Sequence, residues 1–232
     1  MSSASQNSGA TAGAFSERVI QIDETRIRCL EAGQGNPVIV LDGSGALGQS
    51  RLYSLLAQHF RVIAFDIPGP GASLSPESTA MRSLAHMLVR AAIGIGLERY
   101  ALVSIAAASP VALWQGIDAP ERIDGLVLVS PTALSALEGP PVTGSADHEL
   151  ESRLADIRVA TLVLLGTEDR VVPPETGRTY AKRIPKCYYV LVYDAGHGLE
   201  TERPDLLFAT ISDFLDRRES FVVNHNSTVL NP

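Results

Sequence analysis

Cysteine is nearly absent from this sequence: Cys29 and Cys187 are the two thiols, far apart along the chain. Two such thiols make no disulfide framework, and no CxxC pair or His/Cys cluster at ligand spacing points to a metal. Lysine is equally scarce, 2 residues against 17 arginines, which reads as genome composition rather than function. An excess of positive charge is missing too: 19 basic residues face 26 acidic ones, a formal charge of −7. That balance argues against a binder of nucleic-acid phosphates. There is no long apolar run. The best stretch, Tyr100 to Trp114, is broken by Ser104, Ser109 and Pro110 and is too short to span a bilayer. Residues 1–14 carry neither a basic nor an apolar segment, so no signal peptide is expected and a cytosolic location is. No GxGxxG follows a strand-like run. The expectation is therefore no metal or organic cofactor, no nucleic-acid or membrane partner, and a small-molecule substrate or ligand. The oligomeric state is not legible.

What is present is core-forming material. Of 232 residues, 45% are apolar and 19% charged, enough for one sizeable domain. The chain divides into a flexible leader (1–14), a domain (15–218) and a tail (219–232). The tail carries Phe221-Val222-Val223, suited to packing back on a sheet or to self-association. Ser16–Ile22 and Arg26–Glu31 alternate apolar and polar residues around Asp23-Glu24, predicting an edge hairpin. Short apolar runs follow at Pro37–Leu41, Arg61–Phe65, Ala101–Ile105, Gly125–Val129, Thr161–Leu165 and Tyr188–Val192, as buried parallel strands require. Between them, Gln49–Phe60, Thr79–Leu97, Val111–Asp118, Glu175–Arg183 and Arg203–Arg218 space their apolar residues as helices do. The pattern predicts a mostly parallel eight-stranded sheet with helices on both faces. Pro131–Ala160 holds a loop and one short helix near His148–Asp156, too little for a separate domain.

Open α/β sheets place their sites at the carboxyl ends of strands. Those ends carry Asp42-Gly43-Ser44-Gly45, then Asp66-Ile67-Pro68-Gly69-Pro70-Gly71-Ala72-Ser73, then Ser104-Ile105-Ala106-Ala107-Ala108. Later come Gly166-Thr167-Glu168-Asp169 and Asp194-Ala195-Gly196-His197. This ordered set resembles the α/β-hydrolase fold family over roughly residues 16–218. The resemblance implies that Asp169 is the acid and His197 the base of a catalytic triad. An imidazole can accept a proton near neutral pH, and a carboxylate on its other nitrogen fixes the tautomer. His59, His86, His148 and His225 have no comparable partner in sequence and read as structural or exposed.

The family's nucleophile stands between two small residues at a strand-to-helix elbow. In the register that fits here, Ser104 and Ala108 are the small flanks and Ala106 takes the nucleophile position. Alanine has no group with which to attack a carbonyl. Ser104, Ser109 and Ser44 are all off the elbow's tip, and the two cysteines read as core. The N–H of Ala107 remains available to an oxyanion, with a second donor expected near Ser44. Asp42 stands where relatives have histidine. It reads either as a turn residue bonding the 43–45 backbone or as a second acid/base group. The expectation is a hydrolase-like protein of small esters or related carbonyl compounds, working through a His197–Asp169 dyad. The alternatives are a pseudoenzyme binding a small apolar ligand and an enzyme of dyad-only proton transfer. With no helical cap, the site is expected to be open or covered by the loop Glu138–Asp147.

Overall fold

The computed structural model describes residues 15–22, 25–44, 47, 50–66, 78–134, 148–221 and 229–230. The leader, Asp23-Glu24, the Ile67–Ser73 part of the motif after the fourth strand, His225 and the loop Glu138–Asp147 lie outside them.

Strands β1 (Ser16–Ile22) and β2 (Thr25–Ala32) form the expected antiparallel hairpin, and β2 pairs antiparallel with β4 (Arg61–Asp66). From β4 onward every pairing is parallel, through β3 (Pro37–Gly43), β5 (Tyr100–Ala106), β6 (Ile123–Val129), β7 (Thr161–Gly166) and β8 (Cys187–Val192). The eight expected strands are joined by a ninth, β9 (Val229–Leu230), parallel to β8, giving the order β1-β2-β4-β3-β5-β6-β7-β8-β9. The end of the tail thus extends the sheet.

Strand alternation splits the core into two layers. Ile39, Leu41, Leu102, Val163 and Leu165 face helices α2 (Ser78–Gly94), α3 (Ser109–Asp118) and α5 (Glu175–Arg183), where Leu88, Trp114 and Tyr180 are buried. Val38, Val40, Val103, Leu162 and Leu164 face α1 (Arg51–Ala57) and α7 (Pro204–Arg217), which supply Leu52, Leu56, Leu207, Ile211 and Phe214. Two shorter helices, α4 (His148–Ser152) and α6 (Leu199–Glu202), are also present. The first helix starts later than its apolar spacing predicts, because Ser50 caps it by accepting from the Leu52 N–H. His86, read as partnerless, bonds Asp118 at 2.9 Å beside the Arg82–Asp118 ion pair, joining α2 to α3. Among the described residues, no helix is long and apolar enough to cross a membrane.

Candidate active site

Parallel strands β3, β5, β7 and β8 deliver their carboxyl ends to one edge of the sheet, and the residues named from sequence gather there. At the end of β5, Ala106 adopts φ +48°. This left-handed conformation costs an L-residue about 1–2 kcal/mol. The chain accepts it because a strand must turn abruptly into a helix. Pro110 lies in the first turn of α3, where a missing N–H does no harm. Gly43, at the end of β3, explains how the neighbouring strand tolerates this turn. A Cβ on Gly43 would stand 2.3 Å from the Ala108 nitrogen and 2.8 Å from that of Ala107. The glycine is there so that the end of β3 can lie against the elbow. Among the described residues, the Ala107 N–H has no hydrogen-bond partner.

Asp169 and His197 meet at the ends of β7 and β8. His197 Nδ1 lies 2.9 Å from Asp169 Oδ2, with the Asp169 side chain fully buried and the imidazole 27% exposed. The other oxygen of Asp169 accepts from the N–H groups of Val171 and Val172, both at 2.8 Å. Helix α5 begins after Pro174, so Asp169 caps its own loop and not that helix. The two loops are bound to each other. Glu168 N–H donates to the Ala195 carbonyl at 2.9 Å, and Asp194 N–H to Thr167 Oγ1 at 3.0 Å. A Cβ on Gly166 would lie 2.1 Å from the Ala195 oxygen, so this approach also requires glycine. Glu202 accepts from the Gly196 N–H at 2.7 Å, and Arg203 holds Asp194 through its carbonyl and its carboxylate.

Asp42 is fully buried. Its Oδ1 accepts from Ser44 N–H at 2.7 Å and from Ser44 Oγ at 2.6 Å, and Tyr53 on α1 donates its hydroxyl to Oδ2. The turn-residue reading of Asp42 describes this arrangement. The oxyanion role expected for Ser44 requires correction: its N–H already serves a carboxylate, because an aspartate two residues earlier is the stronger acceptor. The remaining serines have other tasks. Ser109 Oγ accepts from the N–H groups of Thr132 and Ala133 at 3.0 and 3.1 Å, and Ser104 is buried within β5. Burial pushes the Cys29 thiol up to about 11 and Cys187 up to about 12, so neither supplies a thiolate near neutral pH. Among the described residues, no cluster of His, Cys, Asp or Glu could hold a metal ion.

Sequence reasoning named Gly43 and Gly166 in their motifs without the close approaches they permit, and missed Tyr53, Glu202 and Glu200. Glycine at a strand end signals a close approach, but which backbone it meets is a property of the fold. In the short acidic segment Leu199–Glu202, Glu200 is only 6% exposed.

This constellation can be set beside known proteins. Residues 36–148 match the α/β-hydrolase fold family. The 2-hydroxy-6-oxo-6-phenylhexa-2,4-dienoate hydrolase of Comamonas testosteroni is 30% identical over 260 residues, covering 81% of this chain and 90% of that one. The 2-hydroxy-6-oxo-6-(2'-aminophenyl)hexa-2,4-dienoic acid hydrolase of Metapseudomonas resinovorans is 25% identical, covering 94% of this chain and 97% of its own. Among solved structures, the 2-hydroxy-6-oxo-6-phenylhexa-2,4-dienoate hydrolase of Rhodococcus sp. strain RHA1 superposes with a TM-score of 0.76 at 17% identity, over 88% of this chain and 99% of that one. At that identity the likeness speaks for the fold alone. With strands, elbow and loops in the family's order and a relative matched over most of its length, the chain belongs to the α/β-hydrolase fold family and is hydrolase-like in character.

Proposed function

We propose that this chain hydrolyses small esters or related carbonyl compounds without an acyl-enzyme, the His197–Asp169 dyad activating water directly. The observation that carries this reading is the 2.9 Å contact between His197 and the buried Asp169, at the same end of the parallel strands as the strained turn at Ala106. The Asp169 carboxylate accepts from Nδ1–H, so Nε2 keeps a lone pair with which to take a proton. A serine there would leave its hydroxyl beside the base; alanine leaves room for a water in that place. His197 takes the water proton as the water oxygen bonds to the carbonyl carbon, and returns it to the leaving group as the adduct collapses. The relatives' substrates, 2-hydroxy-6-oxo-dienoates, are small carbonyl compounds and fall within this class.

Magnitudes set the expected rate. Loss of the nucleophilic serine costs about a millionfold in the measured case of subtilisin, leaving roughly 10³–10⁴ over water. One oxyanion donor is worth about 10²–10³, and Ser44 N–H is engaged with Asp42. That engagement favours a second reading, a protein that binds a small apolar carbonyl ligand and does not turn it over. The two readings part in one assay, hydrolysis of a short-chain nitrophenyl ester with mass spectrometry of the protein under turnover. The hydrolase reading predicts slow turnover that His197→Ala abolishes, with no acyl adduct. Ester binding without turnover would leave the ligand-binding reading standing in its place.

A further inference from the structure

The amino ends of the central strands lie opposite the edge that carries His197 and Asp169, and they border a cavity of about 400 Å³. Its walls come from four places in the sequence: the turn before β5, the start of β6, the segment that enters β7 and the end of α7. Arginine dominates them. Arg99, Arg158, Arg217 and Arg218 all line the cavity, against the carboxylates of Asp124 and Glu219. This local balance reverses that of the whole chain, with its formal charge of −7. The walls also hold the apolar side chains of Ile123, Val159 and Ala160, each more than nine-tenths buried.

The carboxylates at this cavity are already matched. Asp124 accepts from Arg99 Nε at 2.8 Å and lies 2.6 Å from one of its terminal nitrogens, and the Glu121 carbonyl takes the other. Glu219 pairs with Lys186 at 2.5 Å, and Arg217 with Asp213, one turn back on α7, at 2.6 Å. Two guanidiniums are left. Arg158 meets no hydrogen-bond or ion-pair partner among the described residues. Arg218 comes no nearer to a carboxylate than 3.9 Å, on Asp124, which is beyond hydrogen-bond distance. The end of a helix favours cations, which accounts for basic residues at 217 and 218 but not for Arg158, which lies on no helix. Arg218 also adopts φ +50°, in the left-handed region, as the chain turns out of α7 beside the cavity. Strain of this kind persists where the surroundings impose it, and it gathers at binding sites.

We infer that this cavity binds the dianionic phosphate group of a small organic monoester. Arg158 and Arg218, with no carboxylate of their own, supply two positive charges and the forked N–H donors that phosphate oxygens accept. A dianion balances both charges; a monoanion balances one. A volume of about 400 Å³ takes a phosphate together with an organic group of modest size. Ile123, Val159 and Ala160 give that group apolar surface to lie against. A long phosphate backbone suits the site poorly, because it would run on over a chain that is negative as a whole. The cavity is at the far end of the strands from the dyad, and its occupancy does not depend on ester hydrolysis.

The test is an amide NMR titration with phenyl phosphate at low salt and about pH 7.5, where the phosphate is a dianion. Phenyl sulfate serves as the monoanion of matching shape, and inorganic phosphate as the anion without an organic group. In the native chain, saturable shifts are expected at Asp124, Val159 and Ala160, with a Kd of about 1 mM. Arg158→Ala and Arg218→Ala are each expected to weaken binding about tenfold. Both side chains are exposed, so the fold should tolerate the change, and the native titration holds the proposal to account even where it does not. Arg178→Ala, on α5 and outside the cavity, should leave binding unchanged. Phenyl sulfate should bind about tenfold more weakly than phenyl phosphate, and inorganic phosphate about threefold more weakly. No shift at the cavity by about 10 mM phenyl phosphate, or shifts confined to the surroundings of His197, would overturn the proposal. So would unchanged binding in both cavity variants, or equal binding of phenyl sulfate or inorganic phosphate.

Discussion

The two halves of the site differ in what they have kept. On the β7–β8 side both the backbone and the chemical groups are in place: Asp169 is buried with its two oxygens engaged, His197 is held at 2.9 Å, and the two loops are bound together. On the β3–β5 side the backbone turn is in place without a comparable set of groups. Ala106 holds φ +48° and Gly43 keeps its close approach, yet Ala106 itself carries no hydroxyl and Ser44 turns its N–H to Asp42. Strained backbone costs about 1–3 kcal/mol and persists where its surroundings determine it. The contrast teaches that the side chains of a site can be exchanged while the frame that would aim them stays. On the proposed reading, what remains moves protons and forms no acyl-enzyme.

The largest effect should come from making the two halves alike. Ala106→Ser supplies the missing hydroxyl, and the millionfold value of a nucleophile, reduced by one absent oxyanion donor, predicts a gain of roughly 10³–10⁴ in ester turnover. Next is the frame itself. Gly43→Ala drives a methyl into the backbone of Ala107 and Ala108, neither of which can swing aside. A loss of about 3 kcal/mol in urea-melt stability is expected, and the gain from Ala106→Ser should disappear in that background. Third, Asp42→Ala in the Ala106→Ser background releases the Ser44 N–H. Turnover should rise by up to about 10²-fold, at about 1–3 kcal/mol of stability for the bonds that Tyr53 and Ser44 lose. An unchanged rate would mean that Ser44 N–H is not aimed at the substrate.

Most of the frame was legible in the sequence. Six apolar runs became β3 to β8, and the hairpin alternation became β1 and β2, because buried strands must be apolar and edge strands alternate. That Asp169 and His197 would follow β7 and β8, and that the chain would turn at Ala106 after β5, was legible from their order along the chain. What hydrogen bonds do across the fold was not. Tyr53 lies eleven residues from Asp42 and on a helix, so nothing local ties them together. Glu200 sits in a run of acidic and polar residues whose burial depends on where α6 is pressed against α1. Ser44 was misread because its neighbour's carboxylate competes for the same N–H.

The smallest prediction separates the halves by pH. The carboxyl of Glu200 is raised in the folded protein, so the folded state binds more protons than the unfolded chain between the ordinary glutamate range and its own higher midpoint. Native stability should fall as pH rises through that window. Glu200→Gln lacks the titration, so its melting temperature relative to native should improve from pH 4 towards pH 8 if the carboxyl behaves as described.

One double-mutant cycle tests the central claim, that both halves still share a single working geometry. Ester turnover would be measured for the native chain, Ala106→Ser, His197→Ala and the pair. A preorganised frame predicts that nearly all of the gain from Ala106→Ser vanishes when His197 is removed. A serine gain that survives His197→Ala, or no gain at all from Ala106→Ser, would contradict it.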